Sequence, residues 1–158
     1  MKRDELLAAL EAARARLDAA LAGMSSEELI APGPLGDWSV KDLLTHVTSW
    51  DVDLLTNLGK IKRGQKPGRT QWDGPSIQAQ NDAWHQELKD RPLERVLADY
   101  DAVHAQVLRA VSGLSDAELE APVDWLGGRP MYKYFVNHVV VHEDEHGGEL
   151  AEWRQHQR

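Results

Sequence analysis

The chain has 158 residues, of which 42% are apolar and 28% charged, and it contains no cysteine. This composition predicts one globular domain over residues 1–158, and the missing thiol excludes disulfide bonds, cysteine-based zinc sites and a cysteine nucleophile. The net charge of −8 argues against nucleic acid and anionic membranes as partners. Because there is no long apolar run and no signal-like N-terminus, we expect a cytoplasmic protein without a membrane partner.

Apolar periodicity predicts four long helices and a shorter one. The long helices are expected over residues 3–22, from Ser39 to about residue 63, from Pro92 to Gly113, and from about Met131 toward the C-terminus. Glycine and proline mark residues 64–75 as a loop. The shorter helix, residues 76–89, therefore lies in the connection between the second and third long helices.

Two segments repeat one pattern. GMSSEELIAP from Gly23 and GLSDAELEAP from Gly113 each follow a long helix and each contain the Ser-x-x-Glu sequence of a helix-capping box. No segment alternates apolar and polar residues as a strand does, so no sheet is expected. The two halves predict an all-α four-helix bundle, arising either from internal duplication or from one kind of loop used twice.

Three histidines recur at four-residue intervals in the last predicted helix. His138, His142 and His146 would lie on one helix face, about one turn apart. Two neighbouring imidazoles of such a stripe can bind one divalent ion at about 2.0–2.1 Å, but a tight zinc site needs a further ligand from elsewhere.

The second helix offers the best candidate for that ligand. His46 lies at the edge of an apolar face with Leu43, Val47 and Trp50, and metal sites in helix bundles are built from facing helices. A core histidine bound to a carbonyl is the alternative for His46 taken alone. His104 on the third helix competes, although a hydrogen-bonded core histidine is the favoured interpretation there.

Three neutral nitrogen ligands leave a coordination position open, as in catalytic and substrate-binding metal sites. Such an ion lowers the pKa of a bound water or thiol, so hydrolysis and thiol transfer are both within reach. His142 to His146 also match H-E-x-x-H, the zincin protease pattern in which the glutamate is the general base. We disfavour a protease because Glu143 lies in an acidic run typical of a solvated helix face and no substrate-binding strand is predicted.

Two segments resemble motifs of the DinB/YfiT-like superfamily. GDWSVKDLLTHV, residues 36–47, is similar to the family's second-helix motif, with Trp38 at the helix start and His46 in the following turns. HVVVHEDEHGGEL, residues 138–150, resembles the last-helix motif. The resemblance extends over essentially the whole chain, and Trp50 and Trp72 resemble features of the ClbS/DfsB-type branch.

The resemblance implies a bundle with up-down-down-up order, often dimeric, that holds a divalent metal such as zinc or nickel. His46, His142 and His146 match the family's ligands position by position, which leaves His138 in a pocket role. Some branches are metal-dependent transferases or isomerases that use a low-molecular-weight thiol, and others protect against reactive small molecules. Implied partners are therefore a small-molecule substrate and a second copy of the chain.

Several residues are candidates to support this site. Asp42, Asp53 and Glu149 are candidates to bind the second ring nitrogen of a ligating histidine, with ordinary surface charge as the alternative and helix capping as a further role for Asp42. Gly147 and Gly148 lie in mid-helix, which predicts close approach of another element or local fraying.

Aromatic and basic side chains give weaker signals. Three tryptophans in connecting segments are expected to line a pocket: Trp38, Trp72 and Trp125. Two on apolar helix faces, Trp50 and Trp153, are expected to lie in the core or in a dimer interface. Trp50 is also a pocket candidate. Five cations form either an anion-binding segment over the pocket or a solvated loop: Lys60, Lys62, Arg63, Lys66 and Arg69. His85 and His156 are expected to be exposed.

Three functional hypotheses follow. The first is a metal-dependent enzyme that activates a thiol or water for transfer to, or hydrolysis of, an electrophilic small molecule in stress or detoxification. The second is a non-catalytic protein that binds or sequesters such a compound in the same pocket. The third is an interaction module in which the histidine stripe has no role.

Overall fold

A computed structural model describes residues 1–67 and 74–156 of the chain. Its helices are α1 (Arg3–Leu21), α2 (Ser26–Ile30), α3 (Val40–Lys62), α4 (Gly74–Leu88), α5 (Leu93–Ser112), α6 (Asp116–Glu120), α7 (Tyr132–Phe135) and α8 (Val141–His156). The long helix α1 packs against α8, and α3 packs against α5. The fold is the expected all-α four-helix bundle, and α4 is the extra helix predicted between the second and third long helices.

Two short antiparallel hairpins lie where no sheet was expected. Strand β1 (Pro32–Leu35) pairs with β2 (Trp38–Ser39), and β3 (Pro122–Val123) pairs with β4 (Arg129–Pro130). The expectation was wrong because such short strands cannot display an alternating pattern.

The repeated sequence pattern has the same structure in both halves. The hydroxyl oxygens of Ser25 and Ser115 each accept a hydrogen bond of 3.2 Å from the backbone N–H of the glutamate three residues later. Each glutamate accepts a bond in return from the serine N–H, at 2.7 and 2.8 Å. The proline that ends each pattern, Pro32 or Pro122, begins the first strand of a hairpin. Each half therefore consists of a long helix, a capped turn, a hairpin and a second helix.

The last helix is continuous from α7 to α8 through a π-helical segment, Val136–Val140. Within α8, a Cβ atom added to Gly147 would lie 3.3 Å from the Cα atom of Leu17, whereas one added to Gly148 would have no neighbour within 4 Å. The predicted close approach of another element is confirmed at Gly147, where α1 passes, and was wrong at Gly148. Among the described residues, none of the helices combines the length and hydrophobicity needed to cross a lipid bilayer.

The bundle core consists of two apolar clusters separated by charged residues. One cluster contains Leu6, Leu10, Leu54, Leu58, Val107, Val111, Tyr134, Phe135 and Val139. The other contains Leu17, Leu43, Leu44, Val47, Val96, Tyr100 and Leu150. Between them, each long helix contributes one buried polar side chain to what we call the polar layer: Arg14, Asp51, His104 and Glu143.

An ion pair dominates the polar layer. Nη2 and Nε of Arg14 donate to Oε1 of Glu143 at 2.6 and 3.1 Å, and Nη1 donates to the carbonyl oxygen of Tyr100 at 3.1 Å. Burial by itself lowers the pKa of Arg14, but the charge and hydrogen bonds of Glu143 outweigh burial and raise that pKa. Burial raises the pKa of Asp51 well above its ordinary value, with repulsion from Glu143 adding to the shift and Arg14 opposing it.

The position of Glu143 corrects the sequence analysis. Its side chain is fully buried, whereas a solvated helix face was expected from the acidic run. Consecutive residues of a helix point in different directions, so one acidic run can contain both a buried and an exposed side chain. The neighbouring Asp144 does face outward, where it pairs with Arg16.

We expect the loss of the buried ion pair to lower the stability of the protein far more than the loss of the exposed ion pair. Glu143→Ala removes the carboxylate closest to the buried Arg14, which we expect to lower the free energy of unfolding by about 3–5 kcal/mol. Asp144→Ala breaks only the exposed pair with Arg16 and is expected to change it by less than about 1 kcal/mol. Urea unfolding of the metal-free protein measures both.

A combined variant separates the ion pair from packing. Arg14→Met together with Glu143→Met removes both charges, and we expect it to recover much of the stability lost in Glu143→Ala. Equal losses in Glu143→Ala and Asp144→Ala would contradict the importance of the buried pair.

Candidate metal centre

Three histidines on two facing helices converge on one point. His46 lies near the start of α3, and His142 and His146 lie one turn apart in α8. Their Nε2 atoms are separated by 2.9, 3.1 and 3.0 Å. The structure thus brings together the three residues that the sequence analysis selected as metal ligands.

The geometry of the three nitrogens fits a divalent ion. Three atoms about 3 Å apart lie on a circle whose radius is shorter than a metal–nitrogen bond of about 2.0–2.1 Å. A single ion can therefore be at bonding distance from all three nitrogens. In the described residues the group includes no carboxylate or fourth histidine. It is therefore a donor set that would leave coordination positions open.

The protonation of neutral imidazoles gives a second reason to expect a cation between the three nitrogens. Each Nε2 carries either a proton or a lone pair, so at least two of the three must be alike. At least one of the three contacts then joins two like nitrogens at about 3 Å, whichever tautomers are chosen. A cation at the common point removes this repulsion because all three lone pairs can face it.

The surroundings hold two of these histidines in the uncharged form that binds metal. Burial lowers the pKa of His46 to about 3, and the neighbouring His146 contributes to the shift. Burial lowers the pKa of His142 to about 2, with further contributions from His146, His46 and His138. Protons therefore do not compete with a metal for these two side chains near neutral pH.

A carboxylate orients the third histidine. Nδ1 of His146 donates to Oε2 of Glu149 at 2.7 Å, which leaves the lone pair on Nε2 directed toward the other two rings. Glu149 is one of the three carboxylates that the sequence offered as candidates for such a contact. Nδ1 of His46 and of His142 are buried without a hydrogen-bond partner in the described part of the chain.

Asp42 and Asp53 do not contact the His46 ring as a supporting carboxylate would. Oδ2 of Asp42 accepts from the backbone N–H of Ser39 at 2.9 Å, which caps α3, and Asp53 accepts from Nδ2 of Asn57. Asp42 does line a small cavity together with His46. The capping role that the sequence already offered explains its orientation.

A cavity of about 520 Å³ opens beside the three histidines, within the range of small-molecule sites. It is lined by His46, Trp50, Ile77, Asn81, Leu126, Arg129, Tyr134, Asn137, His138, His142 and His146. Nε1 of Trp50 donates to Oδ1 of Asn81 at 3.0 Å, which fixes the indole against the cavity. Trp50 and His138, which the sequence offered as pocket candidates, both line this cavity.

His138 is part of the cavity wall and lies outside the nitrogen cluster. Its Nδ1 donates to the carbonyl oxygen of Tyr134 at 2.9 Å. Burial lowers the pKa of His138 to about 4, an effect that this hydrogen bond opposes. The one-turn offset from His142 separates His138 from the three-histidine group.

Trp38 and His85 cover the side of His46 away from the cavity. The Trp38 ring contacts the His46 ring edge-on, with centroids 5.4 Å apart, and stacks on His85 at 4.9 Å. His85 is half-buried, so the expectation that it is exposed was wrong. The amphipathic α4 carries it against α3, which its polar sequence neighbours did not reveal.

His104 and Glu143 belong to the polar layer. Nδ1 of His104 is 3.7 Å from Oε1 of Glu143, so His104 does not join the three-histidine group. Because the Glu143 carboxylate binds Arg14 in the core, it is not directed toward the three nitrogens as the general base of a zincin would be. This geometry gives a firmer reason to reject the protease hypothesis than the sequence did.

The described part of the basic segment does not line this cavity. Lys60, Lys62, Arg63 and Lys66 are absent from its lining, which instead includes Arg129. Arg69 and Trp72 lie outside the described residues. The sequence analysis missed Arg129 and Asn81, and its only available signal for Arg129 was the Gly-Gly turn before it.

The chain is similar to several solved structures. An uncharacterised protein from Escherichia coli UTI89 has a TM-score of 0.85 and 15% identity, over 99% of this chain and 94% of that chain. The colibactin self-resistance protein ClbS, in complex with a dsDNA, has a TM-score of 0.83 and 15% identity, over 98% and 96%. DfsB, described as a sibling lethal factor precursor, has a TM-score of 0.84 and 17% identity, over 100% and 98%. At these identities the likeness establishes the fold.

The ClbS structure overturns one expectation. Nucleic acid was excluded above on the basis of net charge, but ClbS has this fold and was crystallised with dsDNA. That exclusion was therefore wrong. Net charge is a sum over the whole surface and does not determine the potential of one local face.

The family of the chain follows from its sequence as well as its fold. A comparison with curated proteins found no match. The family model of the DinB superfamily matches residues 9–150, which include all of α3 and α5, most of α1 and α8, and the three convergent histidines. ClbS and DfsB, the proteins of the branch indicated by the sequence resemblance, are among the structural neighbours. The chain belongs to the DinB superfamily.

Proposed function

We propose that the protein binds a divalent ion, zinc or nickel, through His46, His142 and His146. With this ion it would activate a thiol or water for transfer to, or hydrolysis of, an electrophilic small molecule. The observation that carries the proposal is the convergence of three Nε2 atoms within 2.9–3.1 Å. Without a cation this arrangement brings like nitrogens together.

The surrounding residues have distinct roles in this proposal. A bound ion would supply Lewis acidity, which lowers the pKa of a water or thiol at an open position. Glu149 holds His146 in the tautomer that presents Nε2, and Trp38 restricts rotation of the His46 ring. The indole of Trp50 shields one side of the cavity from water, and the cavity gives a substrate room beside the three nitrogens.

Metal content tests the ligand set directly. We expect elemental mass spectrometry of untagged protein to find about one zinc or nickel ion per chain after metal loading and desalting. His46→Ala and His142→Ala each remove one of three ligands and are expected to lose the ion. His156→Ala is the matched control, because His156 is an exposed histidine at the far end of α8. Wild-type protein that retains no ion, or equal losses in all three variants, would contradict the proposal.

Turnover distinguishes an enzyme from a sequestering protein that uses the same cavity. We expect the metal-loaded protein to convert many equivalents of an electrophile, with monochlorobimane plus cysteine as the thiol-transfer probe and p-nitrophenyl acetate as the hydrolysis probe. The rate should fall at least about a hundredfold in His142→Ala, because the activated nucleophile is lost. Consumption that stops at one equivalent per chain would favour sequestration.

Binding of double-stranded DNA is a second candidate function. The observation that favours it is the ClbS structure, which contains a dsDNA and has a TM-score of 0.83 to this chain. On this chain, exposed cations cluster at the end of α3 and just beyond it, at Lys62, Arg63 and Lys66. We propose that this basic end of α3 contacts phosphates.

Salt dependence tests the second candidate. We expect a labelled duplex to bind in fluorescence anisotropy at low salt, with an affinity that falls as salt rises. Lys62→Gln together with Arg63→Gln should reduce the slope of log affinity against log salt by about 2, one for each lost phosphate contact. Arg109→Gln, which removes an exposed cation from α5, is the control. A duplex that does not bind even at low salt would reject this function.

A further inference from the structure

The cavity beside the three histidines has an unusual charge for this chain. The protein contains 26 acidic and 18 basic residues, yet among the described residues that line the cavity no carboxylate occurs. Arg129 is the one fully charged side chain among the described residues of this lining. The described part of the lining is therefore positively charged, although the chain as a whole is acidic.

The Arg129 guanidinium has no partner among the residues that the structure describes. In the part of the chain that the structure describes, its side chain forms no ion pair and no hydrogen bond, and it is exposed. Most other arginines on the bundle have carboxylate or carbonyl partners, as Arg14 and Arg91 do. The five N–H donors of Arg129 are therefore available to a ligand.

The second hairpin determines where Arg129 lies. Arg129 begins β4 and is paired with Val123 of β3. The turn between these strands contains Gly127 and Gly128, with φ of 64° and 77°, which are left-handed values that favour glycine. The N–H of Met131 donates to the carbonyl oxygen of Ala121 at 3.1 Å, which closes the base of the hairpin. The hairpin thus places Arg129 in the lining of the cavity.

The rest of the lining separates into apolar and amide groups. Trp50, Ile77, Leu126 and Tyr134 supply apolar surface, and Asn81 and Asn137 supply amides. A ligand with an apolar or aromatic body can therefore contact the wall while an anionic end binds the guanidinium, which matches planar oxyanions with two parallel N–H groups.

We propose that Arg129 is a specificity-determining residue that binds an oxyanion, carboxylate or phosphate, on the small molecule that enters this cavity. The substrate class is therefore an anionic compound with an apolar body, whose reactive group faces the three histidines. The inference rests on the proposed function for what happens at the histidines, but the binding of the anion does not require a metal.

Ligand binding to the metal-free protein tests this inference. Phenylacetate, phenyl phosphate and the neutral phenylacetamide share an aromatic body, and the indole N–H of Trp50 reports occupancy in NMR titrations. In the presence of a chelator, we expect one or both anions to bind the wild type about tenfold more tightly than phenylacetamide, because a charge-assisted hydrogen bond is gained. Which anion binds more tightly distinguishes a carboxylate site from a phosphate site.

Three variants identify the source of the preference. Arg129→Gln should abolish the preference for anions, and Arg129→Lys should retain part of it as a point charge. Arg109→Gln removes the same charge from α5, outside the cavity, and should leave the preference unchanged. An anion preference that survives in Arg129→Gln, or a wild type without any preference, would overturn the inference. Because no metal is present, failure to load metal would reject the proposed function without affecting this result.

Discussion

The buried ion pair between Arg14 and Glu143 is the interaction on which the arrangement of the bundle depends. It lies in the polar layer between two apolar clusters, and each of the four long helices contributes one residue to that layer. Helices that contact each other only through apolar side chains can shift by one turn with a modest loss of free energy. A shift that separates a buried charge from its partner is strongly destabilising. We therefore interpret the polar layer as the feature that fixes the axial register of α1, α3, α5 and α8. That register in turn sets His46 of α3 level with His142 and His146 of α8.

The two hairpins occupy equivalent places in the two halves of the sequence, but they present different side chains to the site. In the first half, β2 carries Trp38 against the ring of His46. In the second half, β4 carries Arg129 to the cavity on the other side of the histidines. The shared capped turn and proline place both hairpins at the ends of long helices, so equivalent positions flank one site. The difference in function comes from the side chains that each hairpin presents, which is how one supersecondary unit can be used twice without the site becoming symmetric.

The sequence predicted the parts of the structure that depend on short-range pattern. Helical periodicity located the long helices and α4, the Ser-x-x-Glu pattern located the caps, and the i, i+4 spacing put His142 and His146 on one face. It did not predict the buried state of Glu143, because burial there depends on Arg14, which is far away in the chain. The same limit applies to Arg129 and His85, whose surroundings are created by the packing of separate elements. The hairpins were missed for a different reason, since strands of two to four residues are too short to carry a periodic signal.

Neighbouring residues of α8 show how the helix divides its chemistry between two sides. His142 faces the cavity as a neutral nitrogen donor, while the adjacent Glu143 faces the core and is neutralised by Arg14. If that carboxylate faced the cavity instead, it would compete with the histidines for a metal and attract cationic ligands. Holding it in the core leaves the cavity with neutral nitrogens, an apolar wall and a single guanidinium. The H-E-x-x-H sequence of this protein therefore contains two histidines that face the cavity and a glutamate that forms a structural ion pair in the core. The charge of the cavity depends on keeping that glutamate in the core.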